Sequence, residues 1–336
     1  MLRKVNFAPG YNKQLTPSGV EGGWIGGDYT RFRYGLPEKI GGWEESQTNT
    51  LPGAGRKIFS WFDTQGNRWT AVGTNQILAV WFEGEFHDIT PLDSSLDQSG
   101  VTITTSNNSD DATLNFGSAH NLEDGMVIML DLVTMPGSGT SITAAALEDK
   151  KFEVLTTPTG TTVTIKLPST ETGAGITAGG SMTVKPYYRI GNSTQTYGYG
   201  WGTSSWGNGG WGDASTSTQV ILQPGQWQLD NFGSLLLATI RGGKTFQWDP
   251  ENVDVPTAVA TRATVVTNAP TASETMIVSE KDRHVILFGT ETTIGTANTQ
   301  DKMFIRFSDQ EDRSDWTPTS TNTAGTMRLS SGSEIR

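Results

Sequence analysis

The sequence predicts an all-β chain: a β-propeller-like core with an inserted small β-sandwich or barrel domain. Three observations carry this prediction. Among 336 residues there are 40 Gly and 11 Trp, while Thr, Ser, Asn and Gly fill the connecting stretches, a balance that suits short strands joined by many turns. Residues 57–90 hold four short apolar segments divided by turn residues, the size of one propeller blade. Comparable strand-and-turn pieces return over residues 226–336, and a recurring unit of roughly 40–50 residues marks propellers.

Residues 1–56 read as an N-terminal extended arm. Gly and Pro are frequent there, GGW occurs at Gly22–Trp24 and again at Gly41–Trp43, and Asp28 to Tyr34 alternates polar and aromatic residues like a short strand. Residues 57–95 form the first blade: KIFSWFD, RWTAVG, QILAVWF and EFHDIT are strands, divided by TQGN, TN and EG. Gly66, Asn67 and Asn75 suit turn positions that need positive φ. Full burial of one Trp removes roughly 150–250 Å² from water. At about 25 cal/mol per Å² that is an upper bound of roughly 4–6 kcal/mol, so a few Trp side chains can anchor a thin β-layer.

Residues 96–186 change character. Thr, Ser and Gly rise, and Trp and Tyr vanish between Trp81 and Tyr187. VTITTS, ATLNFGS, MVIMLDLV, KFEVLTT, TTVTIKL and SMTVKP read as six strands of an inserted β-domain. ALEDK, at Ala146–Lys150, is the one hint of a helical turn. Residues 187–225 are a Gly/Trp-rich loop region. Trp201, Trp206 and Trp211 are five apart and each is followed by Gly, a spacing that fits neither helix nor strand. These three residues are the candidate intersubunit or stacking contact; the competing reading folds the rings back onto the local core.

Residues 226–336 predict further blades: QWQLD, SLLLATI and KTFQWD, then TMIVSE, HVILFGT, MFIRFSD and TMRLS. Strands end on aromatic–Asp pairs at Phe62–Asp63 and Trp248–Asp249, and in relaxed form at Phe307–Ser308–Asp309. Outside the arm and the insert roughly 190 residues remain, about four blades at roughly 40–45 residues each. The propeller is therefore expected to be incomplete in this chain, with Gly332–Arg336 leading into another blade.

Composition also excludes chemistry. Cys is absent, so there is no disulfide framework, thiolate zinc site or thiol nucleophile. A reducing compartment of synthesis is expected. The N-terminal stretch lacks the apolar core of a secretory leader, and no apolar run approaches the length of a membrane span. His87, His120 and His284 have no metal-ligand spacing, and neither Asn108–Asp111 nor Asp249–Asp254 matches an EF-hand. Arg241–Thr245 (RGGKT) fails as a phosphate loop, because its first Gly would fall at Ala238 and a strand follows. Ser308–Trp316 (SDQEDRSDW) is a loose version of the Asp-box turn of sialidase-like propellers, one residue too long; the simpler reading is a polar turn capped by Trp316. No catalytic residue, metal site or cofactor is expected. The formal charge of −11 disfavours a tight grip on nucleic acid, since counterion release rewards basic surfaces. An acidic wall still lets DNA slide past, and the same charge also serves solubility.

Two blocks carry a family resemblance. FAPGYNKQ followed by EGGWIGGDYTRFRYGLPEKIGGW resembles the opening of structural proteins in short-tailed bacteriophages and related prophages. The later blocks WQLDNFGSLLLATIRGGKTFQWDP, VSEKDRHVILFG and IRFSDQEDRSDWTPTSTNTAGTMRLSSGS are similar to the same proteins, so the resemblance spans most of the chain outside the insert. By order and fold it extends to podovirus tail nozzle and packaged-DNA stabilisation proteins. It implies a homo-oligomeric, hexameric ring in the virion's short tail. Its partners would be portal or adaptor rings and tail fibre or needle proteins, with double-stranded DNA passing non-specifically. Two other readings stay open. One is a receptor- or glycan-binding propeller stacking sugars on Trp201, Trp206 and Trp211; the other is a polysaccharide hydrolase.

Overall fold

The computed structural model describes residues 7–42, 44, 50–136, 139–191, 224–252 and 262–335. It is all-β, and it divides into two compact units, residues 1–50 and 51–336.

The first unit holds one hairpin, β1 (Thr30–Arg33) with β2 (Leu36–Lys39). Its two-residue turn needs positive φ at both positions, and Tyr34 and Gly35 supply it at 51° and 80°, as in a type I′ turn. Phe7, Tyr11, Trp24 and Phe32 pack ring against ring beneath the hairpin.

In the second unit three four-stranded antiparallel meanders follow one another. The first contains β3 (Gly55–Phe62), β4 (Arg68–Thr74), β5 (Leu78–Phe82) and β6 (Glu85–Asp88). Six strands then form a closed barrel: β7 (Gln98–Thr105), β8 (Asp111–Asn115), β9 (Val127–Asp131), β10 (Lys151–Thr159), β11 (Thr162–Lys166) and β12 (Thr177–Pro186). The second meander comprises β13 (Trp227–Phe232), β14 (Leu235–Ile240), β15 (Thr245–Trp248) and β16 (Thr264–Val265). The third comprises β17 (Thr275–Val278), β18 (Val285–Phe288), β19 (Phe304–Phe307) and β20 (Gly325–Arg328).

The meanders stack face to face. Trp61, Trp69, Ala71, Leu78 and Val80 of the first sheet pack against Trp227, Leu229, Leu236, Ala238, Phe246 and Trp248 of the second. The opposite face of the second sheet, with Phe232 and Leu237, packs against Met276, Val278, Val285, Leu287 and Trp316 of the third. Strand β14 (LLLATI) is buried on both sides and so reads as a continuous apolar run, whereas strands with one open face alternate. Gly73 lets the first two sheets close up: a Cβ there would lie 2.7 Å from the Trp227 ring. Within this unit β13 lies against both β3 and β17, so the first strand of each meander is innermost, as in a propeller.

The barrel has its own core. Val101, Ile103, Leu114, Ile128, Leu130, Val163, Ile165 and Val184 point inward, alternating with outward Thr residues, which accounts for the Thr-rich composition. Strand order around the wall is β10-β11-β8-β7-β12-β9, all antiparallel, and β9 closes onto β10. The helical hint near Ala146 is one turn, α1 (Ala144–Leu147). Entry and exit lie side by side: Leu92 bridges Tyr187, and Asp93 N donates to Pro186 O at 2.7 Å.

Glu171, with no exposed surface, ties the barrel's connections together. Its carboxylate accepts from the Thr140 hydroxyl, from Ser141 N (2.7 Å) and Oγ (2.8 Å), and from Gly173 N (2.7 Å). Thr140 and the Ser141 amide hold its pKa down, from 4.5 to about 2. A depressed carboxyl contributes stability above its unfolded pKa and loses it as pH falls through the folded value. The barrel is therefore expected to lose stability as pH drops from about 4.5 to about 2. Glu171→Gln should lower the neutral-pH unfolding temperature by several degrees and flatten that acid dependence. Equal acid slopes in both proteins, read by circular dichroism melts, would refute the assignment.

Candidate functional site

Hydrogen bonds fix the sheets to one another near their inner edges. Arg56 Nη1 on β3 donates to Gly225 O just before β13. Trp61 Nε1 reaches Ser234 O at 2.7 Å, and Val278 N on β17 donates to Asp230 Oδ2 at 2.8 Å. Each is a directional contact added to the apolar packing, worth about 1 kcal/mol net.

The aromatic–Asp pairs have one physical role. Each Asp ends its strand and accepts from a backbone N–H in the turn that follows. Asp63 takes Gln65 N at 2.9 Å and Asn67 N at 2.8 Å, Asp249 takes Glu251 N at 2.9 Å, and Asp309 takes Gln310 N at 2.8 Å. Asp63 also accepts from Trp69 Nε1 at 3.0 Å. Burial pushes the Asp63 carboxyl up, but hydrogen bonds from Trp69 and Asn67 outweigh it and hold the pKa low. These turns are Asx-type punctuation. The Asp-box-like stretch behaves the same way: Asp312 accepts from Ser314 N at 2.8 Å, Asp309 bridges Asp312, and Trp316 is buried in the third sheet's core.

The two outer faces of the stack are apolar and open. On the first sheet the cross-strand register puts Ile58, Val72 and Ala79 in one row and Ser60, Thr70, Trp81 and Phe86 in the next, with Phe62 opposite Arg68. Ile58 is 68% exposed and Phe62 63%. On the third sheet Ile277, Ile286 and Phe307 form one row, and Thr275, Phe288, Ile305 and Met327 another. Ile277 is 49% exposed and Met327 53%. Among the described residues no further meander packs on either face, although the first sheet's face is closed at its β6 end, where Ala79 is buried and Asp88, next in its row, pairs with Lys151 of the barrel. The middle sheet, covered on both sides, shows what such a face packs against.

Trp201, Trp206 and Trp211 lie outside the described residues. The histidines stay apart and serve local structure: His120 bonds Thr159 O (3.0 Å) and accepts from Leu122 N (2.9 Å), and His284 bonds Ser308 O (2.8 Å). Asp131, Glu148 and Asp149 bring carboxylate oxygens within 4.8 Å of one another. Lys185 pairs with Asp131, while Glu148 accepts from Leu132 N (3.0 Å) and Val133 N (2.7 Å), so the cluster braces the turn after β9. Among the described residues no helix is long and apolar enough to cross a membrane.

No protein-family model matches the chain, and no curated protein matches it. Among solved structures, the endosialidase of phage phi92 is similar at 12% identity with a TM-score of 0.23. The match covers 89% of this chain and 41% of that one, so this chain spans less than half of the endosialidase chain's length. The superposition is too loose to establish a shared fold or activity.

Sequence reasoning missed the two-residue strand β16 and the buried acceptors Glu171 and Asp63. A two-residue strand has no periodicity to read, and an acidic residue in a polar loop gives no sign of which distant N–H groups it will meet. The Asp63 role had a signal in the repeated aromatic–Asp pairs.

Proposed function

We propose that this chain is a non-catalytic structural subunit of a short phage tail, which assembles through its outer sheet faces into a ring that lets DNA pass. The observation that carries the reading is the pair of open apolar faces on a stack whose middle sheet is covered on both sides. A face of β3–β6 on one copy packed against a face of β17–β20 on the next is a head-to-tail contact. Such contacts close into rings when the rotation between neighbours closes. Exposed apolar patches of this kind mark interaction surfaces. The likeness of the opening and later blocks to short-tailed phage proteins supports a place in a virion tail and, within it, a hexameric nozzle beside portal or adaptor rings and fibre or needle proteins. The charge of −11 suits a wall to which phosphate does not adhere.

Ile58→Asp and Ile277→Asp test the reading. Both side chains are exposed in the single chain, so folding is expected to survive. A carboxylate buried without a partner in an apolar contact is costly, and each variant should weaken association at least tenfold by native mass spectrometry, leaving monomers where the parent forms rings. Rings that persist in both variants would defeat the interface. A parent that stays monomeric or trimeric and binds glycans would favour the receptor-module reading.

A further inference from the structure

The first unit is too small to hold itself together by the means it contains. Among its described residues none is buried, although β1 pairs with β2 over four residues and four rings pack beneath them. An isolated two-stranded hairpin is marginal in water, and folded units below about 40 residues usually need disulfides, a metal or association. The chain has no Cys. Among the described residues, the cluster of carboxylates close enough to hold a metal lies in the barrel. Association is the remaining remedy. We propose that this unit is an assembly arm, completed when the tip of its hairpin, Arg33, Tyr34 and Leu36, docks on residues 51–336 of a second copy of this chain.

The surface of the unit suits a contact. Among the described residues, seven of the fifteen exposed large hydrophobic side chains belong to it, a density that marks an interaction surface. The tip is the most open part. In the single chain Tyr34 is 91% exposed and Leu36 70%, so what covers them is another molecule. Leu36 stands opposite Arg33 in the register, and the Arg33 guanidinium carbon lies 5.4 Å from the centre of the Tyr34 ring. Arg31 is held by Glu38 at 3.2 Å, whereas Arg33 makes no ion pair among the described residues. Tyr and Arg are the side chains in which binding energy concentrates.

The turn gives a second, independent sign. Its first position needs positive φ and ordinarily takes Asn, Asp or Gly; here Tyr34 occupies it at φ 51°. A bulky side chain pays a steric penalty in that region, and a ring left in water returns nothing for it. Strain held at an exposed aromatic points to a use outside the unit itself.

Charge selects the partner. Residues 1–50 carry six Lys or Arg against five Asp or Glu, while residues 51–336 carry 18 against 30. The larger units of two copies therefore repel each other, and an arm of opposite sign with an unpaired guanidinium at its tip is attracted to either. The inference stands apart from the open sheet faces: it holds whether or not β3–β6 meets β17–β20.

The test places the photoreactive residue p-benzoylphenylalanine at Tyr34 in the full chain, mixes isotope-labelled with unlabelled copies, and maps the cross-links by mass spectrometry. Peptide pairs of mixed isotope, joining position 34 to residues 51–336, are the expected result. Pairs of one isotope only, which mark docking within a chain, would overturn the proposal, as would a chain that stays monomeric at every concentration reached. Tyr34→Asn is the matched variant. Asn suits the turn better than Tyr, so the hairpin is kept, yet association read by native mass spectrometry should weaken about tenfold. Arg33→Glu should weaken it too and flatten its dependence on salt. Unchanged association in both folded variants would refute the tip. Association that survives Ile58→Asp and Ile277→Asp but not Tyr34→Asn would assign the contact between copies to the arm and not to the sheet faces.

Discussion

Trp69→Ala should destabilise the stacked sheets by about 3–5 kcal/mol, the usual cost of truncating a buried Trp. The residue has no exposed surface. It stacks on Phe82 at 4.0 Å and meets Trp248 of the second sheet edge-on at 5.2 Å, so its removal opens a void at the contact between two sheets. It also withdraws one of the donors that hold Asp63 ionised. Trp69→Phe separates the two effects: it keeps most of the packing and removes only the Nε1 donor, at a cost of about 1–3 kcal/mol. Urea unfolding followed by Trp fluorescence measures both. If the Phe and Ala variants lose the same stability, the hydrogen bond dominates and the packing account fails.

The second large effect concerns a charge inside the stack. Arg306 lies on the face of the third sheet turned toward the second and is 5% exposed. Its Nη1 donates to Trp316 O at 3.3 Å, its Nη2 to Thr292 O at 3.0 Å, and its Nε has no acceptor among the described residues. Burial pushes its pKa down while Glu291 opposes that shift. Glu291, also fully buried, accepts from Thr271 N at 3.1 Å, the Thr271 hydroxyl and Gly295 N at 2.7 Å. No salt bridge joins the two side chains among the described residues; they are opposite buried charges that act on each other through space. Removing one leaves the other less compensated, at a cost below the roughly 3–5 kcal/mol of a broken direct pair, while replacing both by apolar or neutral groups is often close to neutral. Glu291→Gln should therefore be destabilising, and adding Arg306→Met should recover part of the loss. A double variant no better than the single one would mean that the carbonyl bonds of Arg306, rather than the charge pairing, hold this corner.

The strand-level fold was legible because its signals are local. KIFSWFD, RWTAVG and SLLLATI carry apolar residues at strand spacing or as doubly buried runs, and Glu83–Gly84 marks a hairpin turn with φ values of 48° and 93°. The loss of Trp and Tyr after Trp81 announced a second core, since a narrow barrel is filled by Val, Ile and Leu rather than by large rings. The long-range groups were not legible. Glu171, Ser141 and Thr140 meet across a barrel connection. No spacing rule encodes such meetings, because they depend on how sheets lie against each other. The same limit applies to the open sheet faces: Ile58 and Ile277 sit in ordinary strand patterns, and only the finished stack shows that one side lacks a neighbour.

The bridge between Leu92 and Tyr187 makes the barrel a pendant on a two-strand stem. Because the chain leaves and returns at one point, the gap could be spanned by a short turn, with little loop entropy at stake. Beyond that stem the barrel touches the stacked sheets through Lys151, which pairs with Asp88 of β6, so a substitute module has one ion pair to replace. A lineage carrying this scaffold could therefore exchange the pendant for another module, changing what the protein presents to its surroundings while its sheet-to-sheet joints stay as they are.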